Sequence, residues 1–252
     1  MNRSVPCLHR VHVGEPVGAF SVHSALGMSI EFRSVVEQLD HLDRQAQRDG
    51  CGRRSQLVTF DDGWADAMAL ASHFEIWAYL QPVLFLTLRQ LEGDQGLLPL
   101  PRLYEWCAST GNSLASLERD GISRSSLKLM PEADQHRALD GIGVPRILIS
   151  REVLALDQIA DLMAQGWLVG SHGHDHTDLR RFDSDELGAG LNAALKSVSK
   201  LGGVTWLAWP EGRCCNRTCD VAAAVGFSLQ FSLAVETKSL QRPDLIRREI
   251  FK

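Results

Sequence analysis

The stretch Gln56-Leu57-Val58-Thr59-Phe60-Asp61-Asp62-Gly63 decides the prediction of both the fold and the site. Its first five residues are mostly apolar, β-branched or aromatic, which predicts a short strand, and Gly63 marks a turn. A helical segment is predicted from residue 64 to about residue 74. Asp61 and Asp62 therefore leave the carboxyl end of a strand, where parallel α/β folds build their sites. The same residue types favour turns and helix caps, so this segment alone leaves a structural role open.

Strand and helix patterns alternate along the rest of the chain. Apolar runs predict further strands at residues 5–11, 83–88, 167–170, 204–208 and 229–233. Helical spacing or capping residues predict helices at residues 32–42, 157–165, 183–201 and 216–225. This alternation predicts an α/β fold with a mainly parallel sheet or barrel. We expect one domain over residues 1–252, with a helical insertion at about residues 93–145.

The composition of the chain excludes several classes of protein. Of its 252 residues, 44% are hydrophobic and 23% are charged, as in ordinary globular domains. Its 26 basic and 31 acidic residues give a net charge of -5, so we predict no nucleic-acid partner. No apolar stretch approaches the roughly 18 residues of a membrane span, and the amino-terminal residues lack the apolar core of a secretion signal. We therefore expect no stable membrane insertion and a cytoplasmic location.

A second polar cluster, Ser171-His172-Gly173-His174-Asp175-His176, follows the strand predicted at residues 167–170. His172 and His176 are four residues apart, and a single histidine is most often a surface or core residue. Three within five residues at a second strand end favour a metal site instead, because two imidazoles and one carboxylate leave coordination positions open. Zinc is the default cation for this donor set, and iron, cobalt, nickel and manganese also suit it.

Together these two clusters resemble the first two motifs of the polysaccharide deacetylase family, also called the NodB homology family or carbohydrate esterase family four. The segment Leu8-His9-Arg10-Val11 is similar to the YHxV strand that opens many bacterial members, and Trp209-Pro210-Glu211-Gly212-Arg213 resembles the YPFG form of the third motif. The resemblance implies a distorted (β/α)7-like barrel. It also implies a metal-dependent hydrolase that removes the acetyl group from an N-acetylated sugar.

The resemblance implies a role for each residue of the first two motifs. Asp61 is expected to act as the general base, and Asp62, His172 and His176 are expected to bind the divalent metal. A cation at this place would lower the pKa of its water toward about 7 and polarise the carbonyl group of the substrate. Asp61 would then accept the proton of the attacking water.

The third motif supplies the expected contacts to the oxyanion and the substrate. The resemblance assigns the oxyanion donor to the backbone N–H of Glu211, with Pro210 and Trp209 beside it. The Glu211 side chain stands where many members carry an aromatic residue, so it either sets substrate preference or faces solvent. His174 and Arg213 are expected around the site rather than on the metal.

Two departures from the family pattern leave roles to be filled. Many members use a histidine near the carboxyl end as the general acid, and this sequence shows none there. In members that open with YHxV the early histidine takes that role, so the resemblance implies His9 as the acid, with His12 and His23 as alternatives. The arginine that orients the base in the third motif is replaced by Ala208. The candidates to replace that arginine are Arg213, Arg247 and Arg248, and their spacing in the sequence does not decide among them.

The sequence therefore predicts a metal-dependent deacetylase of an amino sugar, acting on an intermediate of bacterial surface polysaccharide biosynthesis such as O-antigen, lipopolysaccharide or capsule. A deformylase or an O-deacetylase of a related sugar would use the same metal and base. A non-catalytic sugar-binding barrel is the alternative from another class. The sequence leaves the oligomeric state open.

Overall fold

The computed structural model of the chain describes residues 5–16, 19–91, 98–118, 121–146 and 153–251. Its strands are β1 (Val5–Leu8), β2 (Arg10–His12), β3 (Ser29–Glu31), β4 (Gln56–Phe60), β5 (Leu80–Leu86), β6 (Leu168–Ser171), β7 (Trp206–Ala208), β8 (Leu229–Leu233) and β9 (Leu245–Ile250). Its α-helices are α1 (Ala19–Ala25), α2 (Phe32–Arg48), α3 (Ala71–Ile76), α4 (Pro99–Thr110), α5 (Leu114–Glu118), α6 (Arg124–Lys128), α7 (Glu132–Gly141), α8 (Leu156–Ala164), α9 (Ser184–Lys200) and α10 (Asn216–Val225). Short 3₁₀ helices lie at Ala65–Leu70, Leu88–Leu91, Leu179–Arg181 and Pro210–Gly212.

Seven parallel strands close into a barrel in the order β1-β4-β5-β6-β7-β8-β9, and β9 pairs again with β1. Strands β2 and β3 form a separate two-stranded parallel sheet. The prediction of an α/β fold with a (β/α)7-like barrel is confirmed. Because the strands are parallel, their carboxyl ends all open at one mouth of the barrel, and side chains that follow different strands meet there.

Alternating side chains of β5 explain why this strand is apolar throughout. Val83 and Phe85 point into the barrel. There the centroid of the Phe85 ring lies 4.9 Å from that of Phe231 on β8, a strand that is not a neighbour of β5. Leu84 and Leu86 point outward into a layer of side chains from the surrounding helices. A strand buried on both faces loses the alternation of polar and apolar residues that marks a half-buried strand.

Two predicted elements differ from the structure at the amino-terminal half of the chain. The strand predicted at residues 5–11 is interrupted at His9 and forms β1 and β2, which belong to different sheets. The helix predicted from residue 64 begins as the 3₁₀ helix Ala65–Leu70 and continues as α3. The strands predicted at residues 56–60 and 229–233 match β4 and β8.

Strand β9 was not predicted from the sequence, although it closes the barrel. Its residues Arg247, Arg248 and Glu249 interrupt the apolar pattern of an interior strand. Arg247 is exposed and Arg248 is fully buried, so the strand does alternate, but its inward residue is charged. A charge is expected outside unless it is paired, and its partner is distant in sequence.

Helices α4 to α7 lie between β5 and β6, in the region predicted as a helical insertion. They form their own apolar cluster, with fully or nearly fully buried Leu103, Cys107, Leu127 and Leu139. Residues 93–97 and 119–120 of the predicted insertion lie outside the described residues. Among the described residues, we find no helix with the length and apolar character needed to span a bilayer.

We expect Gly212→Ala to lower the free energy of unfolding by about 2–4 kcal/mol, because the new methyl group would add strain and overlap. Gly212 has a φ of +67°, and a Cβ there would lie 2.5 Å from the Cβ of Leu233. Urea unfolding measures the change. The control is Gly190→Ala in the exposed part of α9, where a Cβ meets nothing within 4 Å and stability should rise by up to about 1 kcal/mol. Equal effects of the two substitutions would contradict the prediction.

Candidate active site

The turn after β4 directs two adjacent carboxylates to different places. The backbone N–H of Asp61 donates to the carbonyl oxygen of Leu8 at 2.9 Å, which holds Asp61 next to β1. Asp62 has a left-handed φ of +70° and Gly63 one of +77°. A Cβ on Gly63 would lie only 2.9 Å from Leu86 Cδ2, so the turn needs glycine. The abrupt reversal separates the Asp61 carboxylate from the Asp62 carboxylate.

Asp62 meets His172 and His176 at the mouth of the barrel. The Asp62 Oδ1 atom lies 3.5 Å from His172 Nε2 and 3.3 Å from His176 Nε2. One ligand atom from each of the three residues lies within 4.8 Å of the others. We call these three residues the ligand trio. His172 comes directly after β6, and Asp62 lies in the turn after β4. Strand β5 lies between these two strands in the barrel, so strands that are not neighbours supply the trio.

The ligand trio fits a divalent cation. His172 Nδ1–H donates to the carbonyl oxygen of Ala208 at 2.9 Å, which leaves the lone pair on Nε2. That Nε2 atom is buried and has no hydrogen-bond partner in the described part of the chain. Burial lowers the pKa of His172 despite the neighbouring carboxylates, so its ring is neutral and able to coordinate. Two imidazole nitrogens and one carboxylate oxygen suit zinc and several other divalent metals.

Asp61 is paired with Arg248 of β9 by two hydrogen bonds. Arg248 Nη1 donates to Asp61 Oδ1 at 2.5 Å, and Nη2 donates to Oδ2 at 2.9 Å. Arg248 Nη1 also lies 3.2 Å from Thr59 Oγ1. Burial raises the pKa of Asp61, but Arg248, His172 and His9 together lower it well below its usual range. Asp61 is therefore an ionised carboxylate in a buried place.

This pair distinguishes the three arginines considered as substitutes for the one missing from the third motif. Arg247 points away from the barrel interior and donates to backbone carbonyl oxygens, including that of Thr237 at 3.3 Å. Arg213 lies 3.5 Å from Glu236 and 4.0 Å from Asp178. Of the three candidates, Arg248 is the one whose guanidinium hydrogen-bonds to Asp61.

The three candidate acids have different neighbours, and His9 lies beside Asp61. Its Nε2 atom lies 4.0 Å from Asp61 Oδ2, because Leu8 and Phe60 are paired across β1 and β4 and the next residues are His9 and Asp61. The ring of His12 hydrogen-bonds to Ser29 Oγ at 2.7 Å in the small sheet. His23 packs edge-on against the rings of Trp64 and Tyr104.

The residues predicted from the third motif lie in different environments. Glu211 lines the pocket beside the ligand trio, with φ at +56°. Trp209 is fully buried in an apolar cluster, and its indole N–H donates to Gln230 Oε1 at 3.2 Å. Trp209 therefore belongs to the core rather than to the pocket wall. Pro210 packs next to Gly173 in the loop between the two histidine ligands.

His174 lies in that same loop but is not part of the ligand trio. It lines a separate hollow against α9, beside Leu187 and Gly190. Arg213, which was also expected around the site, lines the pocket that contains Asp62 and His176. Neither residue belongs to the ligand trio, and their predicted roles around it stay predictions.

The pocket beside the ligand trio has a wall that the sequence did not indicate. Its lining includes Asp62, His176 and Trp64 from the barrel and Tyr104, Arg124 and Lys128 from the insertion. Lys128 forms an ion pair with Glu211, and Arg124 Nη2 lies 3.9 Å from the same carboxylate. No motif marks these insertion residues, because their place at the site depends on how separate helices pack on the barrel.

Comparisons with known proteins agree with the motifs. Residues 133–229 match the family model described as polysaccharide deacetylase. No curated protein sequence gives a significant match. The fold was also compared with solved structures, which gave several matches along nearly the whole chain.

Three of these structures match almost the full length of this chain. The Streptococcus pyogenes deacetylase PplD in complex with acetate has a TM-score of 0.57 at 13% identity, covering 100% of this chain and 93% of that one. IcaB from Ammonifex degensii has a TM-score of 0.55 at 16% identity, and the match covers 99% of this chain and 91% of that one. The de-N-acetylase from Aggregatibacter actinomycetemcomitans has a TM-score of 0.58 at 13% identity, and the match covers 99% of this chain and 94% of that one. Residues 133–229 thus confirm the resemblance to the polysaccharide deacetylase family, and the barrel has the fold of these three structures.

Proposed function

We propose that the protein is a metal-dependent hydrolase that removes the N-acetyl group from an amino sugar. The observation that carries this proposal is the juxtaposition of the ligand trio with an ionised base. Asp61 Oδ2 lies 3.8 Å from His172 Nε2, the atom that is available to a cation. Metal ligands and a buried carboxylate at this separation can act on one water molecule.

The chain's own residues divide the chemistry. A divalent cation held by the ligand trio would polarise the substrate carbonyl and lower the pKa of water. Asp61 accepts the proton of the attacking water, and Arg248 fixes the direction of its lone pairs by holding both oxygens. Because Arg248 also keeps Asp61 ionised, the base is ready before the substrate arrives.

Two further groups complete the proposed reaction. The backbone N–H of Glu211 would donate to the oxyanion, in the role that the family resemblance implies. His9 would protonate the leaving amine, since its Nε2 atom is 4.0 Å from Asp61 Oδ2 and can act on the same bond. His12 is engaged with Ser29 and His23 with two aromatic rings, which favours His9 over both.

The position of the insertion favours a substrate whose terminal sugar enters the pocket. It contacts three separate connections around the barrel mouth: His23 after β2 through Tyr104, Arg89 after β5 through Glu132, and Glu211 after β7 through Lys128. From these three contacts we infer that the insertion lies over part of the mouth and would obstruct the path of a long polymer. We therefore propose a terminal or single amino sugar as substrate, as in a biosynthetic intermediate of bacterial surface polysaccharide made in the cytoplasm.

We expect metal-dependent release of acetate from glycosides that carry one terminal N-acetylhexosamine, after zinc or cobalt is added to the chelator-treated protein. Asp61→Asn should lower kcat by about 10²–10⁴-fold while zinc binding persists, because the base is lost and the ligands remain. His172→Ala should lose zinc affinity. Acetate is measured enzymatically and zinc by mass spectrometry.

Exposed residues supply the controls for this experiment. Asp157→Asn on α8 and His41→Ala on α2 change the same residue types away from the site, and both should keep wild-type activity. Parallel assays with N-formyl and O-acetyl sugars test the alternative substrates. Full metal-dependent activity in Asp61→Asn would contradict the proposed mechanism, and zinc binding without hydrolysis of any acyl sugar would favour a binding protein.

Arg248→Met should lower both activity and stability, because a buried Asp61 would lose its charged partner. We expect kcat/KM to fall by about 10²-fold and the free energy of unfolding by about 3–5 kcal/mol. Acetate release and urea unfolding measure the two effects. The neighbouring substitution Arg247→Met removes exposed hydrogen bonds and should cost about 1 kcal/mol or less, with activity retained. Comparable losses in both variants would refute a special role for Arg248.

The obstructed barrel mouth predicts where an oligosaccharide is deacetylated. With tetra-N-acetylchitotetraose, we expect loss of acetate from a terminal residue and none from the two internal residues. Tandem mass spectrometry of the product locates the free amine. Deacetylation of the internal residues would show that a chain can cross the site, and would contradict the proposed obstruction by the insertion.

A further inference from the structure

We propose that Trp64 is a positioning residue for the metal, because it holds the Asp62 carboxylate so that one oxygen faces the cation. The inference rests on the proposed metal site. It names a residue that none of the three motifs assigns to that site. Trp64 acts through Asp62 and is itself held by a buried ion pair between Arg10 and Asp66.

The two oxygens of Asp62 have different neighbours. Oδ1 lies within 3.5 Å of both imidazole Nε2 atoms of the ligand trio. Oδ2 accepts a hydrogen bond from Trp64 Nε1 at 3.2 Å. The indole therefore occupies the second oxygen and fixes the plane of the carboxylate. This arrangement assigns coordination by Asp62 to Oδ1 alone.

Two features of Asp62, its backbone conformation and the torsion of its carboxylate, make a hydrogen-bond donor at Oδ2 useful. Its φ of +70° is unusual for a residue with a side chain, and the terminal torsion of an aspartate is broad. An N–H donor restricts the rotation and leaves the charge in place.

The indole ring of Trp64 is in turn held by contacts with Arg10 and His23. The guanidinium carbon of Arg10 lies 4.2 Å from the indole centroid, in a cation–π contact. Arg10 Nε lies 3.1 Å from Asp66 Oδ1, and Asp66 Oδ2 accepts from the backbone N–H of Val11. The ring of His23 packs edge-on at 5.5 Å. Arg10, Trp64 and Asp66 thus form a buried stack that ends on the metal ligand.

The position of this stack also links two segments that carry different parts of the site. Arg10 is in β2, one residue after the proposed acid His9, whereas Trp64 and Asp66 follow the turn after β4. Leu154 N donates to the carbonyl oxygen of Gly63 at 2.9 Å, which supports the same turn from the segment that returns to β6. The orientation of Asp62 therefore depends on contacts from both sides of the turn.

The test is the affinity of the chelator-treated protein for zinc, measured by competition with a chromogenic chelator. Trp64→Phe keeps an aromatic ring and removes the N–H donor. We expect about 10- to 100-fold weaker zinc binding, the usual effect of losing a group that orients a metal ligand. Cobalt absorption in the visible range should change as well, because the ligand geometry becomes less uniform.

Trp77→Phe is a matched control. Trp77 is a buried tryptophan directly after α3, whose indole N–H donates to the Asp40 carboxylate on α2 at 2.5 Å, and it does not line the pocket beside the ligand trio. The control removes the same kind of hydrogen bond and should lower the Tm without changing zinc affinity. Thus a general loss of stability is separated from a loss of ligand orientation.

A second measurement needs no substitution at Trp64. In ¹⁵N-labelled wild-type protein, the indole N–H signals of the six tryptophans can be assigned with the other five Trp→Phe variants. Zinc should shift the Trp64 signal and leave the Trp77 signal unchanged. Unchanged zinc affinity in Trp64→Phe, or an unmoved Trp64 signal while zinc binds, would overturn the inference. A wild-type protein that binds neither zinc nor cobalt would overturn the proposed metal site as well.

Discussion

The ion pair between Asp61 and Arg248 is the interaction on which the rest of the structure depends. It joins the turn after β4 to β9, the strand that closes the barrel against β1. Two buried charges are costly to remove from water, and removal of either partner leaves the other uncompensated. The pair therefore ties closure of the barrel to completion of the site. Its two parallel hydrogen bonds set the direction of the carboxylate.

The same ion pair gives the two adjacent aspartates different chemistry. Asp61 is held by a guanidinium, whereas Asp62 turns away through a left-handed backbone and meets two imidazoles. One carboxylate is thus placed for the proposed base and the other for the proposed metal ligand, although both leave the same strand. This separation depends on Gly63, whose place against Leu86 leaves no room for a side chain.

Much of the fold and the centre of the site could be predicted from the sequence, because the signals there are local. The apolar run before Asp61 marks β4, and the spacing of His172 and His176 marks the ligands at the end of another strand. Strand β9 escaped prediction because its inward residue is a charged arginine. The ambiguity among Arg213, Arg247 and Arg248 had the same origin, since a buried arginine is recognisable only once its partner is in place.

By itself the sequence determined the α/β alternation, the two polar strand ends and the residue types that suit a divalent metal. Only the tertiary structure decided that Arg248 holds Asp61, that His9 is beside Asp61, that Trp209 belongs to the core, and that Lys128 of the insertion reaches Glu211. The physical reason is distance along the chain. Strand ends and turn residues are encoded within a few positions, whereas an ion pair or a pocket wall forms only when closure of the barrel brings remote segments together.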